Sequence, residues 1–498
     1  MSSSTLRQRH GRESSLNRQL SAGLLAAVLL GAVIIGGVAV ALDRFGRTPR
    51  EWAPYLERRA LNHNPLITGS VDLAAAWLRY ADRLPWEGVR PTGWVGAAVG
   101  RPSLAAERVP PRQARVPRLI GTVPGLRKAL QEAQAGDVIE MLPGTYRLEY
   151  PTVGVTANGA AGAPITLRAA RLGDVVFQSN GVEAFKVSGP YWIFENLVLQ
   201  GVCEDHSGCE HAFHIVGGAD HIILRNNLLM DFNAHIKVNP DGKAPDHGLV
   251  EYNTITETSP RGTANPVTPI DIVAANGWRI AANLITDFVK SGGDNVSYGA
   301  FAKGAGDHNV FERNVVLCEY KLRGQAGERI GLSFGGGGTL PVFLRDAGAS
   351  GREQISSIMR DNLIAFCSDD GVYLNRAAET VIEHNTMIDT AGIDSRFPES
   401  SAEVINNIVD GVIRQRDGGA LHAAGNEESL LLGLFIGWHP ARHLFVNPAR
   451  LDLRWRAPPT LRPTTPGSTD LCGITRGTVA RPGAFDDFTP CLSGDTRQ

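Results

Sequence analysis

The sequence has little net charge, and this absence limits the partners that can be expected. Its 49 Lys and Arg residues nearly balance its 51 Asp and Glu residues, which leaves a net charge of −2. Composition alone therefore creates no field that would attract nucleic acid or another polyanion. We expect no nucleic-acid partner.

The spacing of zinc-binding cysteines is also absent. None of the six cysteines belongs to a CxxC pair, so a structural zinc site is not expected. An even number of cysteines suits an oxidising compartment, where disulfides persist. Their placement favours three local bridges, with buried free thiols as the alternative. The three pairs are Cys203 with Cys209, Cys318 with Cys367, and Cys472 with Cys491.

Charge is missing altogether from residues 21–42, a length that can span a bilayer. Four arginines and only one acid, Glu13, precede this segment, so the positive-inside rule keeps the N-terminus in the cytoplasm. A cleaved signal peptide is the alternative, because Ala39-Val40-Ala41 has the small-x-small form of a cleavage site. The apolar run is longer than an ordinary signal core. We therefore predict an uncleaved single-pass anchor in the inner (cytoplasmic) membrane, with the rest of the chain on the periplasmic side.

What the sequence does contain is a local pattern repeated eight times: an apolar residue, two variable residues, Asn, one more residue, and an apolar residue. Successive asparagines are between 22 residues (385 to 407) and 48 residues (314 to 362) apart. The longest interval is close to two short ones, as if one Asn were missing. The eight are Asn196, Asn227, Asn253, Asn283, Asn314, Asn362, Asn385 and Asn407.

A repeat of this length predicts a stacked array of similar units. Each unit has short β-branched runs and Asn or Gly at the corners, without the apolar spacing of a helix. We expect each repeated Asn to adopt the left-handed backbone conformation at a bend, and its amide to bond to its neighbours as a ladder. The predicted fold is all-β, a right-handed parallel β-helix with an N-terminal capping helix near residues 125–135.

The predicted organisation has five parts. They are a basic cytoplasmic tail at 1–20, a transmembrane anchor at 21–42, a stalk or linker at 43–117 with short helices near 51–61 and 71–84, the β-helix at 118–414, and an irregular C-terminal tail at 415–498 that packs on the solenoid.

Three stretches resemble one known superfamily. They are AGDVIEMLPGTYR at 135–147, the repeated Asn turns, and LRPTTPGSTDLCG at 461–473 with RPGAFDDF at 481–488. Together they resemble the pectate-lyase-like β-helix superfamily over about residues 118–488, and the opening is most similar to the chondroitinase B and alginate lyase branch. The resemblance implies binding of an acidic polysaccharide and its cleavage by β-elimination. One fold carries many chemistries, so activity must be argued from the site.

Alternation along one strand of each coil predicts which side chains face outward. In the run from Ala234 to Asn239, Ile236 and Val238 point inward. His235, Lys237 and Asn239 are then expected outside, and stacking should align them with polar residues of other coils in one stripe that binds substrate. The other predicted members are His214, Asp271, Lys303, Ser333, Tyr373, Asn375, Asp394 and Arg396.

The resemblance also suggests catalytic residues. β-Elimination needs a neutralised carboxylate, a base for the C5 proton and an acid for the leaving oxygen. Lys303 is similar in position to the family's catalytic Lys, although the family has Lys-Ser where this chain has Lys303-Gly304, and Arg329 on the next coil matches its catalytic Arg. The family's acidic calcium cluster has no clear counterpart, so no metal ligand is predicted and a calcium requirement stays open.

Other functions remain open. A non-catalytic glycan-binding or cell-envelope scaffold is the main alternative, and convergence of Lys303 and Arg329 would separate it from an enzyme. Asp369-Asp370-Gly371 is similar to the paired carboxylates of β-helix glycoside hydrolases. Asp246-His247 is similar to a motif of uronate epimerases.

Overall fold

The computed structural model describes residues 37, 46–85, 116–336, 339–346 and 351–492. The chain divides into two compact units, Met1–Arg47 and Thr48–Gln498, and the second is described below. None of the helices in the described ranges is both long and apolar enough to cross a membrane. The basic tail at 1–20 and, apart from residue 37, the predicted anchor at 21–42 lie outside the described residues.

Three parallel sheets, named A, B and C, form the body of the second unit. Each coil adds one strand to A, then one to B, then one to C, and strands of successive coils pair in parallel. Sheet A consists of Arg118–Ile120, Val138–Met141, Ile165–Ala169, Trp192–Glu195, Ile223–Arg225, Leu249–Glu251, Arg279–Ala281, Val310–Glu312, Ile358–Arg360, Thr380–Glu383, Ser401–Ile405 and Ala420–Ala424. Sheet B consists of Gly144–Leu148, Val175–Ser179, Val198–Gly201, Leu228–Met230, Thr254–Thr256, Leu284–Thr286, Val315–Leu317, Leu363–Ala365, Thr386–Ile388, Ile408–Val409 and Glu427–Glu428. Sheet C consists of Val153–Val155, Glu183–Val187, His211–Val216, Ile236–Asn239, Ile270–Val273, Val296–Lys303, Glu328–Phe334, Val372–Asn375, Gly392–Arg396 and Val412–Arg416.

Smaller elements lie around these sheets. The helices are Pro49–Ala60, Pro65–Asp82, Val123–Gln131, Leu431–Phe435, Pro440–His443 and Thr489–Leu492, with 3₁₀ turns at His206–Gly208, Pro341–Phe343 and Pro448–Arg450. Gly306–Asp307, Gln354–Ile355 and Ala377–Ala378 form a short parallel sheet; Phe445–Asn447 with Asp452–Trp455, and Arg462–Pro463 with Val479–Ala480, form antiparallel pairs.

Apolar side chains from all three sheets fill the interior of the coils. Strands such as Ile165–Ala169 alternate strictly between buried and half-buried residues, as a strand with one covered face must. Aromatic rings stack between coils, with Phe185 and Phe213 centred 5.6 Å apart. The helix Val123–Gln131 buries Leu126, Ala129 and Leu130 in the same core. The predicted parallel β-helix is confirmed, and its strands continue to Glu427–Glu428, beyond the expected boundary at 414.

An asparagine ladder follows the turn between sheets A and B. The side-chain amide of Asn227 donates to Oδ1 of Asn253 over 3.0 Å, and the same bond repeats coil by coil as far as Asn426. Each of these amides also donates to a main-chain carbonyl, as from Asn314 to Ile280 over 2.8 Å. The predicted ladder is therefore confirmed, and it reaches one coil further than the sequence pattern indicated.

Two details of the repeat were predicted wrongly. Asn196 is not in the ladder: Leu197 occupies that position, and its N–H donates to Oδ1 of Asn227 over 3.0 Å. Asn196 lies one residue earlier, where φ is +61°, and bonds to Asn226. The left-handed residue is thus the one before each ladder asparagine, because the amide must point inward directly after the bend. These residues are Asn226, Tyr252, Ala282, Arg313, Asp361, His384, Asn406 and Gly425, and Asn196 adopts the same conformation before Leu197.

The long interval between Asn314 and Asn362 is one enlarged coil. Their side chains bond directly over 3.0 Å, so no asparagine is missing, contrary to the sequence interpretation. The additional residues lie between sheets B and C and between sheets C and A, in segments around 318–327 and 335–357. The disulfide Cys318–Cys367 joins this coil to the next, and Cys203–Cys209 and Cys472–Cys491 are also present as predicted.

The two helices predicted near 51–61 and 71–84 are found at Pro49–Ala60 and Pro65–Asp82. They are not part of a free stalk. Arg50 is buried, pairs with Asp82 over 2.7 Å and with Asp389 over 3.1 Å, and donates to the carbonyl of Cys367. A buried guanidinium needs such partners, and they fix the helix pair to the coils.

Candidate functional site

The outer face of sheet A is neutralised by its own side chains. Glu140, Arg168, Glu195 and Arg225 occupy one register position in four successive coils. Arg168 lies 2.9 Å from Glu140, and Arg225 lies 2.6 Å from Glu195. This alternation of charge stabilises the stack of coils and leaves few free charges for a ligand.

The outer face of sheet B is covered. Residues of the C-terminal tail, including Phe445, Leu453 and Phe485, form an apolar cluster with Leu317 and Leu363 of that sheet. Sheet C also carries polar groups on its outer face.

Outward side chains of sheet C form two rows that run across the coils. Row 1 contains His214, Lys237, Asp271, Phe301, Ser333, Tyr373, Asp394 and Arg414. Row 2, two residues further along each strand, contains Asn239, Val273, Lys303, Asn375, Arg396 and Arg416. At about 4.8 Å per coil the rows extend over roughly 30 Å. The alternation thus predicted the outward register of the candidates in these rows, and His235, directly before the strand Ile236–Asn239, has the same parity.

The two rows differ in accessibility. Asp271, Ser333, Tyr373 and Asp394 of row 1 are buried, whereas Asn239, Lys303, Asn375 and Arg396 of row 2 are half-buried. A ligand would therefore meet row 2 together with His214 and Lys237.

His235 was predicted to face outward, and this is wrong because a segment of the following coil covers it. Its side chain is fully buried, packs against Phe232, and lies 3.8 Å from Glu257. Arg261 of that segment bonds to Asn233 over 3.0 Å. Burial, assisted by Arg261, lowers the pKa of His235 to about 3. His235 is a neutral core residue, without access to substrate.

Glu257, beside His235, gives a prediction about stability. It is almost fully buried, and neither carboxylate oxygen has a hydrogen bond within the described ranges. Burial raises the pKa of Glu257 well above 4.5; Arg261 opposes the shift and Asp231 and Asp287 add to it. A raised folded-state pKa means that stability falls as pH rises above the unfolded value. Glu257→Gln should therefore raise the melting temperature at about pH 8 and leave it unchanged at about pH 4, as measured by thermal unfolding at both pH values. An equal effect at both would contradict the assignment.

At one end of the rows the polar groups are tied to each other. Nδ1 of His214 lies 2.5 Å from Glu183, and its Nε2 lies 2.6 Å from Oδ1 of Asn239. Lys237 pairs with Asp271 over 2.5 Å. These predicted binding residues do lie together, but their charges are already compensated.

At the other end, Tyr373, Asn375 and Arg396 lie on adjacent coils. The amide of Asn375 donates to the Tyr373 hydroxyl over 3.3 Å, and Arg396 pairs with Asp417 over 2.6 Å. Burial raises the pKa of Tyr373, with Arg396 opposing. The Tyr373 hydroxyl therefore remains a proton donor at neutral pH. Asp394 is engaged by Arg416 and Arg414.

Lys303 lies between these two ends. Its ammonium is 4.7 Å from the centre of the Phe301 ring, and among the described residues it forms no ion pair. Glu353, the acid that holds the turn after Lys303, accepts hydrogen bonds from Gly304 N–H (3.0 Å) and Thr339 (2.8 Å) instead. Lys303 is a half-buried cation in the middle of row 2, and its charge is available to a ligand.

The structure does not bring Arg329 to Lys303, so the predicted catalytic pair is wrong. Arg329 aligns with Ser297, six residues before the level of Lys303, which is about 20 Å along the strand. Its guanidinium is buried, pairs with Glu319 over 2.7 Å, and donates to the carbonyls of Gln325 and Ala326. Arg329 stabilises the enlarged coil.

The other two sequence motifs also have structural partners. Asp370 is buried and pairs with Arg414 over 2.9 Å; burial, reinforced by nearby acids, raises the pKa of Asp369 to about 7. Asp246 accepts a hydrogen bond from the Asn276 N–H and pairs with Arg345 over 2.7 Å. Neither motif places a free carboxylate in the two rows.

Calcium does not fit the donors of the rows. The two carboxylates there, Asp271 and Asp394, are each neutralised by a Lys or Arg, whereas calcium needs several free oxygen ligands. No group of three or more His, Cys, Asp or Glu side chains in the described part of the chain could hold a metal ion.

Comparison with solved structures finds the same architecture elsewhere. The crystal structure of pectate lyase Pel9A matches with a TM-score of 0.51 and 15% identity, covering 72% of this chain and 90% of that one. This likeness shows that the chain has the parallel β-helix fold seen in that structure. An alginate lyase from Paenibacillus sp. str. FPU-7 (TM-score 0.39, 15% identity, 63% and 95% covered) and a rhamnogalacturonan lyase (0.42, 16%, 61% and 81%) are further matches. No family model and no curated protein matches the sequence of this β-helix. At these identities the likeness concerns the fold alone.

Sequence reasoning missed the ring beneath Lys303. Phe301 precedes Lys303 by two residues, so the same alternation that exposed Lys303 also assigns Phe301 to the outer face of this β-helix. An ammonium near an aromatic face is held without a carboxylate partner. An outward aromatic residue two positions before a lysine was the signal available.

Proposed function

We propose that the outer face of sheet C binds an acidic polysaccharide in an extended conformation. The observation that supports this most directly is Lys303, a central cation without a carboxylate partner among the described residues. A carboxylate of the glycan would complete this pair. Asn239, Asn375 and Arg396 of row 2 would contact sugars on both sides, together with His214 and Lys237 of row 1.

The repetition of the surface suits a repetitive ligand. Coils present outward positions at intervals of about 4.8 Å, so an extended polymer that runs across the coils meets comparable groups repeatedly. The pair Arg396–Asp417 offers both donors and acceptors to hydroxyl groups, and Lys237 offers a further donor. A compact ligand would use only one or two coils.

Cleavage by β-elimination is the second candidate, favoured by the position of Tyr373. The neutral form of Lys303 would take the C5 proton, and the Tyr373 hydroxyl, kept protonated by burial, would give a proton to the leaving oxygen. Arg396 would neutralise the uronate carboxylate, the role expected earlier of Arg329. Lys303 and Tyr373 are two coils and two residues of strand apart, about 12 Å at the backbone, which leaves space for a sugar ring between their side-chain ends.

We expect Lys303→Ala to weaken binding of a uronate oligosaccharide by at least about tenfold, or ~1.4 kcal/mol, because the only uncompensated cation of row 2 is removed. If the protein is a lyase, the rate of formation of unsaturated product should also fall by at least about 100-fold. Calorimetric titration with alginate, pectate and chondroitin oligosaccharides measures the first effect, and ultraviolet absorbance of the product measures the second.

The matched control is Lys186→Ala, an exposed lysine that aligns with His214 near the start of sheet C. It should change affinity less than threefold, because Lys186 lies four strands away from Lys303 in the sheet. Equal losses in both variants would indicate non-specific attraction by surface charge and contradict the site. Binding without product would identify a glycan-binding scaffold; no binding to any acidic polymer would refute the proposal.

We also propose that the protein is anchored in the inner membrane by residues 21–42, with residues 1–20 in the cytoplasm and the β-helix outside it. Three disulfides in the second unit support an oxidising compartment. The helix Val123–Gln131 would cap the first coil, since its buried face already belongs to the core.

A further inference from the structure

The helix Pro65–Asp82 has apolar residues on two opposite faces. One narrow side, with Ala75 and the ion-paired Asp82, is buried. The other side is apolar and exposed: Leu66, Leu73 and Tyr80 are exposed by 76–83% and Trp77 by 57%. The spacing of 7, 4 and 3 residues places these four side chains on one side of the helix. Its exposed charged residues, Asp72 and Arg79, project well away from that side at 100° per residue.

A segment of the C-terminal tail next to this helix also exposes apolar residues. The helix Leu431–Phe435 packs against Pro65–Asp82, and Nε2 of His439 lies 2.9 Å from the carbonyl oxygen of Ala81. Next to this contact Leu430 and Ile436 are exposed by 75% and 78%, and Trp438 by 55%. We call the combined surface the apolar patch; it consists of Leu66, Leu73, Trp77, Tyr80, Leu430, Ile436 and Trp438.

Large exposed apolar side chains gathered on one side of a helix mark a contact with another phase or molecule. Its composition favours lipid, because Trp and Tyr concentrate at the membrane–water interface with their rings among the headgroups. The position along the chain agrees: the uncharged segment ends at Leu42 and the helix Pro49–Ala60 starts seven residues later. Seven residues reach at most about 25 Å, so an anchored chain keeps this helix pair close to the bilayer.

We propose that the apolar patch lies in the headgroup region of the bilayer and fixes the orientation of the β-helix on the membrane surface. This inference rests on the membrane anchor proposed above. The helix pair is bound to the coils through Arg50, Asp82 and Asp389. Contact of the patch with lipid would therefore fix the orientation of the whole β-helix relative to the membrane.

The test uses the full-length protein in phosphatidylethanolamine–phosphatidylglycerol vesicles. All six native cysteines are in disulfides, so Leu73→Cys and Ile436→Cys each provide one reactive thiol for an environment-sensitive fluorophore. Phospholipids with a spin label near the headgroup quench a fluorophore that enters this region. Val182→Cys is the control, an exposed apolar position (54%) at the start of a sheet C strand.

We expect quenching at residues 73 and 436 to exceed that at residue 182 at least twofold. Flotation of the vesicles after an alkaline wash reports on the anchor separately. Protein that floats but shows equal quenching at all three positions would overturn the patch while the anchor stands. Protein that fails to float would overturn both proposals. The labels at residues 73 and 436 could also be shielded from lipid and lie close to the same labels on a second molecule. That result would show that the patch binds a second copy of the protein, and it would equally overturn the inference.

Discussion

Asp389→Ala should lower the free energy of unfolding by about 3–5 kcal/mol, because it leaves several buried cations without their shared partner. The carboxylate of Asp389 is fully buried and accepts hydrogen bonds from Arg50 (3.1 Å), Arg83 (3.0 Å) and Arg323 (2.9 Å), and from the Leu84 N–H (3.3 Å). Without it these guanidinium groups repel one another in an interior that water cannot easily enter.

The ionisation of Asp389 determines the pH range of the effect. Burial alone would raise its pKa, but Arg83, Arg50 and Arg323 lower it below the ordinary 3.8. A lowered folded-state pKa adds stability above the unfolded value and loses it as pH falls through the folded one. The deficit of Asp389→Ala should therefore be complete at neutral pH and smaller in strong acid.

Denaturant unfolding of the detergent-solubilised protein, followed by tryptophan fluorescence, measures the loss. Glu57→Ala is the matched control, since it removes a half-exposed partner of Arg79 on the same helix pair and should cost less than about 1 kcal/mol. If the helix pair were a stalk, Asp389→Ala would be as mild as Glu57→Ala. Trypsin should also cut within Pro49–Ala60 faster in Asp389→Ala, because Arg50 loses one of its two carboxylates.

The sequence was informative wherever a property depends on one strand and its alternation. Lys303, Asn375 and Arg396 fall in the predicted row because a strand has period two and parallel strands of successive coils pair in register. The disulfides were predictable for a similar reason, since the paired cysteines occupy neighbouring corners of one coil or of adjacent coils.

The wrong predictions for His235 and Arg329 have one physical cause: another segment of the chain covers the side chain or forms an ion pair with it. His235 has the correct parity to face outward, but residues around Arg261 of the next coil close over it. Arg329 matched a family position, but Glu319 in the enlarged turn before it captures the guanidinium. Alternation gives the direction of a side chain and carries no information about what lies above it.

The same limit applied to the helix pair. Its helices could be predicted, because Thr48 and Asn64 precede prolines and cap the first turns. Their docking could not, since it depends on Asp389, more than 300 residues away in the sequence. Arg50 looks like any surface arginine of an amphipathic helix until the coil that carries Asp389 is in place.

The asparagine ladder carries the other large expected effect. In Asn314→Ala we expect a loss of about 3–5 kcal/mol, as more than one buried group loses its hydrogen bond. Oδ1 of Asn314 accepts from the backbone N–H (3.1 Å) and the side-chain amide (3.0 Å) of Asn283, and its Nδ2 donates to Ile280 and Asn362. Asn314 is fully buried, so no water can replace these bonds.

Two control variants separate the ladder from the bend. Asn426→Ala removes the last member of the ladder, which is only half-buried, and should cost about 1 kcal/mol because solvent can substitute. Arg313→Gly changes the residue with φ of +53° directly before Asn314 and should be nearly neutral, since glycine adopts this conformation without strain. In thermal and denaturant unfolding, Asn314→Ala should have a much lower free energy of unfolding than the other two variants. If Arg313→Gly and Asn314→Ala were equally damaging, the loss in Asn314→Ala would not be specific to the hydrogen-bonded ladder.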